Sequence, residues 1–474
     1  MNPLYSVTSC YSLVGYTRIT DSRTSILARN FDHESVPGCV TIRRIANHRG
    51  RYSQSGRHGE RRLSKYLRER REVLRSRKIS INASSMKTLL MGYYGMGNLG
   101  DEMMLFCLRP WLERQGFQLT VLSEQPDEIT RSHGLPAIEN CPLLGEWAWR
   151  TAWFKGGAWR VIRAIRESDA LIIGGGDLIR DDLGWRTFFY TIEKMIVAIL
   201  LRKKVYLVNA GVGEPSTRYG RIFLRWVFRR CRRIIVRDQR SEKICRQLDA
   251  SAKTALVPDI VLCLPGLLAK RPILPAETPA PKPCVVVCLR NNPNVFRLYE
   301  MTETRIQALA ASLDDLIERH EVNVIFIPFQ ANPANGHGDT QLHERVAQAM
   351  VRADRIQLRP WTADLDEVCR WMYAARFVVA MRLHAAVLAL SCDRPAILMP
   401  YDRKLREFAH LMNIPLTIEA AILDDVAAVK AVLEAAWRQS TAGGPLAKNL
   451  DPSAIWADLT LESASYSKTP VPNQ

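Results

Sequence analysis

No two cysteines of this sequence form a C-x-x-C pair, although the chain has 11 of them among its 474 residues. That absence removes the usual spacing of a structural zinc site or a redox dithiol. Their number is odd and their positions are scattered, with Cys284 and Cys288 in one apolar run. We therefore expect free core thiols in a protein of a reducing compartment.

Long uncharged apolar runs are also missing. The longest candidate, Thr187–Leu201, is interrupted by Glu193 and Lys194, whereas a membrane-spanning helix needs roughly 18 or more apolar residues in succession. The first residues lack the apolar segment of a secretory signal. A cytoplasmic protein is the expectation that follows.

Acidic residues are too few to balance the basic ones, and the formal net charge is +18. The excess is concentrated in residues 1–85, which hold 17 Lys and Arg against 6 Asp and Glu. Because this segment is polar and weakly periodic, we expect a disordered basic extension. It is interpreted as a basic arm for nucleic acid or membrane, or as a stretch included by a start assigned too early. The second interpretation is favoured because Met86 directly precedes a strand.

Short apolar strands alternate with helical patterns after Met86, which predicts an α/β fold with parallel sheets covered on both faces. The predicted strands of the first half are Thr88–Met91, Gln118–Leu122, Ala170–Ile173, Val205–Val208 and Ile234–Val236. Those of the second half are Val285–Leu289, Val324–Pro328, Arg376–Ala380 and Ala396–Met399. Apolar residues at helical spacing predict helices at Glu102–Gln115, Ala158–Glu167, Trp185–Leu201, Tyr219–Cys231, Thr304–His320, Gln341–Arg352, Leu365–Ala374, His384–Leu390, Arg403–Met412 and Asp424–Arg438.

These patterns divide the chain into two Rossmann-like domains, at 86–264 and 284–440. Between them, 265–283 is predicted to be a linker, because Leu264–Pro283 contains six prolines. Residues 441–474 are predicted to be a loose polar tail. Two such domains form a cleft, and ligands of open parallel sheets bind beyond the carboxyl ends of the strands.

The first motif in such a position is the glycine loop that follows Thr88–Met91. It runs Gly92-Tyr93-Tyr94-Gly95-Met96-Gly97-Asn98-Leu99-Gly100-Asp101-Glu102 and opens a helix. Glycines allow backbone N–H groups to approach an anion at a helix start. The alternative is a tight turn in which Asp101 only caps the helix. The spacing matches neither the dinucleotide fingerprint nor the lysine-containing phosphate loop.

A second loop, Gly174-Gly175-Gly176-Asp177-Leu178-Ile179-Arg180-Asp181-Asp182, follows the strand Ala170–Ile173. Its glycines permit close approach of a ligand or of the other domain, and its carboxylates suit sugar hydroxyls, a helix end or, least of all, a metal. Arg237-Asp238 follows the next strand but one. Arg237 there is interpreted as a ligand for an anion or as half of a surface ion pair.

The sharpest motif is Arg382-Leu383-His384-Ala385, which opens an apolar helix after the strand Arg376–Ala380. A guanidinium fork, an imidazole and a positive helix end together suit an anion. The alternative is a core histidine beside a paired arginine. Other polar groups are predicted at the same edge: Arg290, Tyr401 and Lys404.

These motifs, in this order, resemble the polysaccharide pyruvyl transferase family over about Met86 to Ala420, with Pro258-Asp259 as a further match. Within that family, the sequence most resembles the subgroup of enzymes associated with bacterial cell-wall polysaccharides and S-layer anchoring. The resemblance implies a glycosyltransferase-B-like fold, phosphoenolpyruvate as donor, and a pyruvate ketal bridging two sugar hydroxyls as product. It assigns the donor's Arg-x-His motif to Arg382 and His384 and implies one more donor arginine, Arg237 or Arg290.

The chemistry of such a transfer suits these residues. A donor with a carboxylate and a phosphate needs fixed cations, and ketal formation needs an acid and a base. His384 beside anions is expected to be charged and to donate a proton. Asp101 or Asp177 is expected to act as base. The acceptor or its loops are assigned to Gly95, Gly97, Asn98, Gly175, Gly176, Asp181, Tyr401 and Lys404. No metal or organic cofactor is required.

Two other functions remain as alternatives. A sugar-nucleotide-dependent glycosyltransferase of the same fold would hold a nucleoside diphosphate at the same helix start. A nucleic-acid-binding protein is the more remote alternative, because most of the charge excess lies outside the folded region and no aromatic-and-basic RNA motif is present. For an enzyme, the expected partners are a polysaccharide or lipid-linked glycan and no specific nucleic acid. The basic, apolar segment Tyr219–Arg233 is interpreted as a sheet-covering helix or as a peripheral contact with the inner face of the membrane.

Overall fold

The computed structural model describes residues 85–143, 156–181, 184–250, 253–268, 283–291, 300–331, 338–442 and 453–461. All of them belong to one compact unit. The predicted disordered extension lies outside the described residues, except for residue 85, and so does the larger part of the predicted linker, residues 269–282.

A seven-stranded parallel sheet, of order β3-β2-β1-β4-β5-β6-β7, forms the first half of this unit. Its strands are β1 (Met86–Met91), β2 (Phe117–Ser123), β3 (Ala137–Glu139), β4 (Ala170–Gly174), β5 (Lys204–Ala210), β6 (Arg233–Val236) and β7 (Thr254–Leu256). The helices around it are α1 (Leu99–Arg114), α2 (Pro126–His133), α3 (Gly157–Glu167), α4 (Trp185–Leu200), α5 (Arg218–Phe228), α6 (Gln239–Gln247) and α7 (Leu264–Leu268). The central strand β4 is buried over its whole length, as expected of a sheet covered on both faces.

The second half contains a five-stranded parallel sheet of order β10-β9-β8-β11-β12. Its strands are β8 (Cys284–Cys288), β9 (Asn323–Phe326), β10 (Ile356–Leu358), β11 (Ala375–Ala380) and β12 (Ala396–Leu398). Its helices are α8 (Glu303–His320), α9 (Asp339–Ala349), α10 (Leu365–Ala374), α11 (Leu383–Ser391), α12 (Arg403–Met412) and α13 (Val426–Ala442), and α14 (Ser453–Asp458) follows. The predicted fold class, two Rossmann-like α/β halves, is therefore confirmed.

Three short strands, β3, β7 and β10, have no counterpart in the sequence prediction. Each has three residues and lies at the edge of its sheet, so none is long enough to show a periodic pattern. The nine predicted strands are all present, with ends that differ by one or two residues.

The chain after Thr441 is not simply a loose polar tail. Helix α14 carries Trp456, which is 2% exposed and meets Trp111 of α1 edge-to-face at 4.9 Å. The indole N–H of Trp111 donates to the Trp456 carbonyl over 2.5 Å, and that of Trp456 donates to the Pro258 carbonyl over 3.0 Å. This prediction was wrong for residues 453–461, because one large aromatic side chain holds a segment whose overall composition is polar. The linker was predicted to begin at residue 265, but helix α7 occupies residues 264–268, so any linker begins after that helix.

The two halves share an apolar core. One cluster of buried side chains includes Leu105 of α1, Val286 of β8 and Leu388 of α11. The charges that interrupt the longest apolar run, Glu193 and Lys194, are buried in α4 as an ion pair with 2.6 Å between their charged atoms. No helix in the described part of the chain is both long and apolar enough to cross a bilayer.

Candidate active site

The glycine loop after β1 contacts the second half through its backbone. The Ala331 amide donates to the Gly97 carbonyl over 2.7 Å, and the Leu99 amide donates to the Phe329 carbonyl over 2.9 Å. Gly97 has a φ of +69°, and a Cβ built on it would lie 2.5 Å from the Cβ of Ala331. Gly97 therefore allows the close backbone contact between the two halves, because no side chain fits at this position.

Helix α1 begins directly after this loop, and its cap is Asn98. The Asn98 side chain accepts from the Gly100 amide over 3.1 Å, so the interpretation in which Asp101 caps the helix is wrong. The next acidic residue, Glu102, accepts from the Gly95 amide over 2.7 Å and meets His133 at 2.7 Å. Asn98 and Glu102 thus hold the loop, which leaves the Asp101 carboxyl available for chemistry.

The triple-glycine loop approaches α1 from the neighbouring strand β4. Gly175 and Gly176 have φ values of +74° and +67°, and a Cβ on Gly176 would lie 3.4 Å from the Asp101 carboxyl. Asp181, further along this loop, accepts from the amides of Ser216 and Thr217 over 2.8 and 3.0 Å. Asp181 therefore holds the start of α5, and we no longer place it among groups that meet the acceptor.

Arg237 lies just beyond β6 and joins two carboxylates. It donates to Asp177 over 3.0 Å and to Asp259 over 2.9 Å. Asp259 also accepts from the Val261 amide over 3.0 Å and from the Asn209 side chain over 3.3 Å. Burial raises the pKa of Asp259, but Arg237, His384 and these hydrogen bonds outweigh it, so the pKa falls below its usual value. Asp259 is therefore an anion fixed at the cleft.

Arg382 precedes the first residue of α11 and is held by Asp339. Its guanidinium donates to the Asp339 carboxylate over 2.6 Å. Asp339 is fully buried and also accepts from the amides of Phe329, Gln330 and Asn291, over 2.9 to 3.2 Å. The Arg382 Nε is buried without a hydrogen-bond partner among the described residues. One edge of this guanidinium is thus positioned by protein, and the other has donor capacity left.

His384 lies across the boundary between the halves. Its Nε2 is 4.0 Å from the Asp259 carboxylate, and its side chain is 16% exposed. That nitrogen has no hydrogen-bond partner among the described residues. On its other side, a Cβ built on Gly100 of α1 would lie 2.1 Å from the His384 Nδ1. The imidazole therefore packs on α1 at a place where only glycine fits.

In the free protein, without the anions of a donor, the pKa of His384 is lowered. Burial lowers its pKa to about 4, with Arg237 and Arg382 adding to the effect and Asp259 opposing it. The sequence argument weighed only the anions of a bound donor, whereas the folded chain surrounds the imidazole with protein and two guanidinium groups.

Asp101 has the opposite shift. Burial and the neighbouring Glu102 raise its pKa to about 7, although Arg237 and Arg382 lower it in part. The carboxyl is 6% exposed. A carboxyl that exchanges its proton near neutral pH is suited to acid–base catalysis.

Arg290 follows β8 and Tyr401 follows β12, the two strands that flank β11 in the second sheet. Arg290 donates to the Tyr401 hydroxyl, and its guanidinium is 4.8 Å from the centre of that ring. Burial raises the pKa of Tyr401, which keeps the hydroxyl neutral. The Lys404 side chain lies outside the described residues.

The fold thus brings together Asp101, Asp177 and Arg237 from the first half with Arg382 and His384 from the second. Two residues of this site, Asp259 and Asp339, were not proposed as site residues from the sequence. Asp259 was visible only as part of a matching motif, and Asp339 lies two residues before the predicted start of its helix. Within the described residues, no group of three or more His, Cys, Asp or Glu side chains is arranged to hold a metal ion.

Comparison with known proteins gives both a family and a fold. A family model described as polysaccharide pyruvyl transferase matches residues 98–403. A search of curated protein sequences gave no significant match. The chain is similar in structure to UDP-GlcNAc 2-epimerase from Methanocaldococcus jannaschii, with a TM-score of 0.53 and 11% identity over 77% of this chain and 94% of that one. The Neisseria meningitidis enzyme bound to UDP-GlcNAc gives a TM-score of 0.50 and 10% identity over 78% and 98%. At such identities the likeness shows the fold alone, a glycosyltransferase-B-like pair of α/β domains.

Proposed function

Because the chain belongs to the polysaccharide pyruvyl transferase family, we propose that it transfers a pyruvyl group from phosphoenolpyruvate to two hydroxyls of one cell-envelope sugar. The product is a pyruvate ketal, and phosphate is released. The acceptor belongs to a polysaccharide or a lipid-linked glycan of the cell wall, and the enzyme acts in the cytoplasm at the inner face of the membrane.

One observation supports this reaction above the others: two guanidinium groups, a buried carboxyl with a pKa near 7 and an imidazole share one cleft. Arg237 and Arg382 act electrostatically on both Asp101 and His384. Fixed cations suit a donor with a carboxylate and a phosphate, and the two titratable groups suit proton transfer at carbon and oxygen.

The transfer balances without any further reactant. A proton adds to the methylene carbon of the donor, and the oxygen of one sugar hydroxyl bonds to the adjacent carbon. The second hydroxyl then bonds to the same carbon as the bond to phosphate breaks. The two hydroxyls release two protons, of which one replaces the proton given to the methylene carbon and the other replaces the proton given to the departing phosphate.

We assign the first proton to Asp101, which differs from the base role expected from the sequence. A carboxyl with a pKa of about 7 is partly protonated at neutral pH, and a protonated acid is what the methylene carbon requires. The later return of a hydroxyl proton to Asp101 closes the cycle.

His384 is assigned to the phosphate of the donor. Its Nε2 has no hydrogen-bond partner among the described residues, which supports a role in which an N–H at this position donates to a phosphate oxygen. An anion at this position favours the charged imidazole, so donor binding raises the low pKa of the free state. The charged His384 then protonates the departing phosphate.

Arg382 is assigned to the donor, with Arg290 as its second arginine. Arg237 is engaged by two carboxylates, so we give it the task of positioning Asp177 and Asp259 at the cleft. Arg290 follows β8 in the same half as Arg382 and donates to the Tyr401 hydroxyl at the carboxyl end of the sheet. Asp177 and the glycines of its loop lie on the first half, where we place the acceptor.

The proposal is tested by incubating the purified protein with phosphoenolpyruvate and a panel of cell-envelope glycans. We expect phosphate release that depends on a glycan, and a product heavier by one pyruvyl ketal in the mass spectrum. Arg382→Ala provides the inactive control. Nucleoside diphosphate release from a sugar nucleotide, with no reaction of phosphoenolpyruvate, would instead establish the glycosyltransferase alternative.

A further inference from the structure

One outer face of the first half combines exposed apolar and basic side chains. We call it the α5 surface; it consists of Arg218, Tyr219, Arg221, Ile222, Arg225, Trp226, Arg229 and Arg230. Helix α5 buries Leu224, Val227 and Phe228 against the first half. Tyr219 and Ile222 lie on the outward side of the same helix, where they are 74% and 56% exposed.

Aromatic and aliphatic side chains form a stripe along this surface. Tyr219, Ile222 and Trp226 follow at spacings of three and four residues, which places them in one row on a helix. The Arg230 guanidinium lies 4.3 Å from the centre of the Trp226 ring. An open groove of about 620 Å³ is lined by Ile222, Arg225, Trp226, Arg229 and Arg230. A polar rim around an exposed apolar stripe is typical of a contact surface.

The charge of this surface has one sign. Residues 218–233 contain seven arginines, of which Arg233 is buried, and no acidic residue. One of these arginines, Arg225, forms an ion pair with Asp249. Lys253 adds a further cation, since its ammonium donates to the Arg229 carbonyl over 2.6 Å.

The neighbouring end of α4 extends the same character. Leu200 is 68% exposed and Leu201 is 36% exposed, and Arg202 and Lys203 follow them. The Arg232 amide donates to the Val205 carbonyl over 2.7 Å, which ties this end of α4 to the end of α5. Two exposed leucines beside basic residues thus lie at the end of the sheet opposite the site.

We propose that the α5 surface docks the protein on a bilayer of anionic phospholipid, with Tyr219 and Ile222 at the acyl boundary and the arginines among the phosphates. Helices with one apolar and one basic face bind such interfaces. A nucleic acid would use the arginines but would leave an exposed isoleucine and two exposed leucines without a role.

Docking through the start of α5 would bring the triple-glycine loop of the site towards the membrane. Asp181, in the loop that begins with the triple glycine, accepts from Ser216 and Thr217 at the start of α5. The loop that lies against Asp101 is therefore hydrogen-bonded to the start of the docking helix. This consequence rests on the proposed function, because only a lipid-linked acceptor would benefit from it; the lipid contact itself does not.

The test is cosedimentation of the full chain with vesicles of phosphatidylcholine alone and of phosphatidylcholine with phosphatidylglycerol. We expect binding only to the anionic vesicles, weaker in high salt. The variants Arg229→Glu/Arg230→Glu and Tyr219→Ser/Ile222→Ser should each lower binding at least tenfold. Arg345→Glu/Arg352→Glu, on the second half, makes the same change of charge and should retain it. Circular dichroism checks that every variant is folded.

Each other outcome overturns the proposal. Equal binding of all variants would assign the affinity to another part of the chain, such as the basic residues 1–85, which every variant retains. Loss in the Arg229→Glu/Arg230→Glu variant but not in the Tyr219→Ser/Ile222→Ser variant, together with binding of a random RNA, would make the surface a nucleic-acid contact. Because the vesicle assay contains neither donor nor acceptor, its failure leaves the proposed transfer intact, and failure of the transfer leaves docking intact.

Discussion

Replacing Gly100 with alanine should displace His384, although glycine is normally the poorer residue for a helix. Gly100 lies in the first turn of α1, where an alanine backbone is allowed. The added Cβ would lie 2.1 Å from the His384 Nδ1, 2.8 Å from Cγ and 3.0 Å from Cε1. Ordinary contact begins near 3.4 Å, so the methyl group and the imidazole must separate by about 1.3 Å.

Such a displacement is large on the scale of catalysis. A misplacement of about 1 Å costs about 100-fold in rate, so we expect Gly100→Ala to lower kcat for phosphate release by about that factor. Crowding a packed site also costs about 1–3 kcal/mol of stability. Without the imidazole, the same substitution should instead stabilise the protein by about 0.4–1 kcal/mol, because alanine loses less backbone entropy than glycine on folding.

The assay is therefore a double-mutant cycle. Chemical unfolding and phosphate release are measured for the parent, Gly100→Ala, His384→Ala and the double variant. We expect Gly100→Ala to destabilise the parent, to stabilise the His384→Ala background and to change no activity there. Equal effects of Gly100→Ala on stability in both backgrounds would refute the contact between α1 and the imidazole.

Three further predictions concern the titratable and cationic groups. If Asp101 is the acid, kcat/KM falls as the pH rises through about 7, and Asp101→Asn removes this fall and lowers kcat about 100-fold or more; a rise of kcat/KM over that range would make it a base. In the Asp101→Asn background at pH 6, donor binding should take up a proton, because His384 is neutral in the free protein with a pKa of about 4. Calorimetry in buffers of different ionisation enthalpy measures this uptake. Proton uptake that persists after His384→Gln would contradict the prediction. Arg382→Lys should weaken donor binding about tenfold or more with unchanged thermal stability, since the ammonium loses the fork; unaltered affinity by calorimetry would remove Arg382 from the donor.

The stability of the protein should also report the state of Asp101. Its pKa is raised on folding to about 7, so its contribution is full below the unfolded value near 4 and is lost as the pH rises through 7. The melting temperature of Asp101→Asn relative to the parent should therefore increase between pH 5 and 8. A constant difference over this range would mean that Asp101 ionises at its ordinary pKa.

The family was predictable because its motifs follow predicted strands and occur in a fixed order along the sequence. The resemblance read from the glycine loops and from Arg382-Leu383-His384 is confirmed by the family match over residues 98–403. Strands such as Ala170–Ile173 were predictable for a related reason, since a strand buried on both faces is a continuous apolar run. Trp456 was not, because nothing local distinguishes an aromatic that packs on a distant helix from one in a loose tail.

The sequence by itself determined which chemical groups end the strands and that two parallel sheets carry them, because apolar periodicity and glycine turns are local properties of the chain. Only the tertiary structure decided how those groups meet. It placed His384 of one half on Gly100 of the other, tied Arg237 to Asp259 and buried Asp101 beside Glu102. The protonation states of His384 and Asp101 follow from that arrangement, since a pKa depends on burial and on charges brought near by folding.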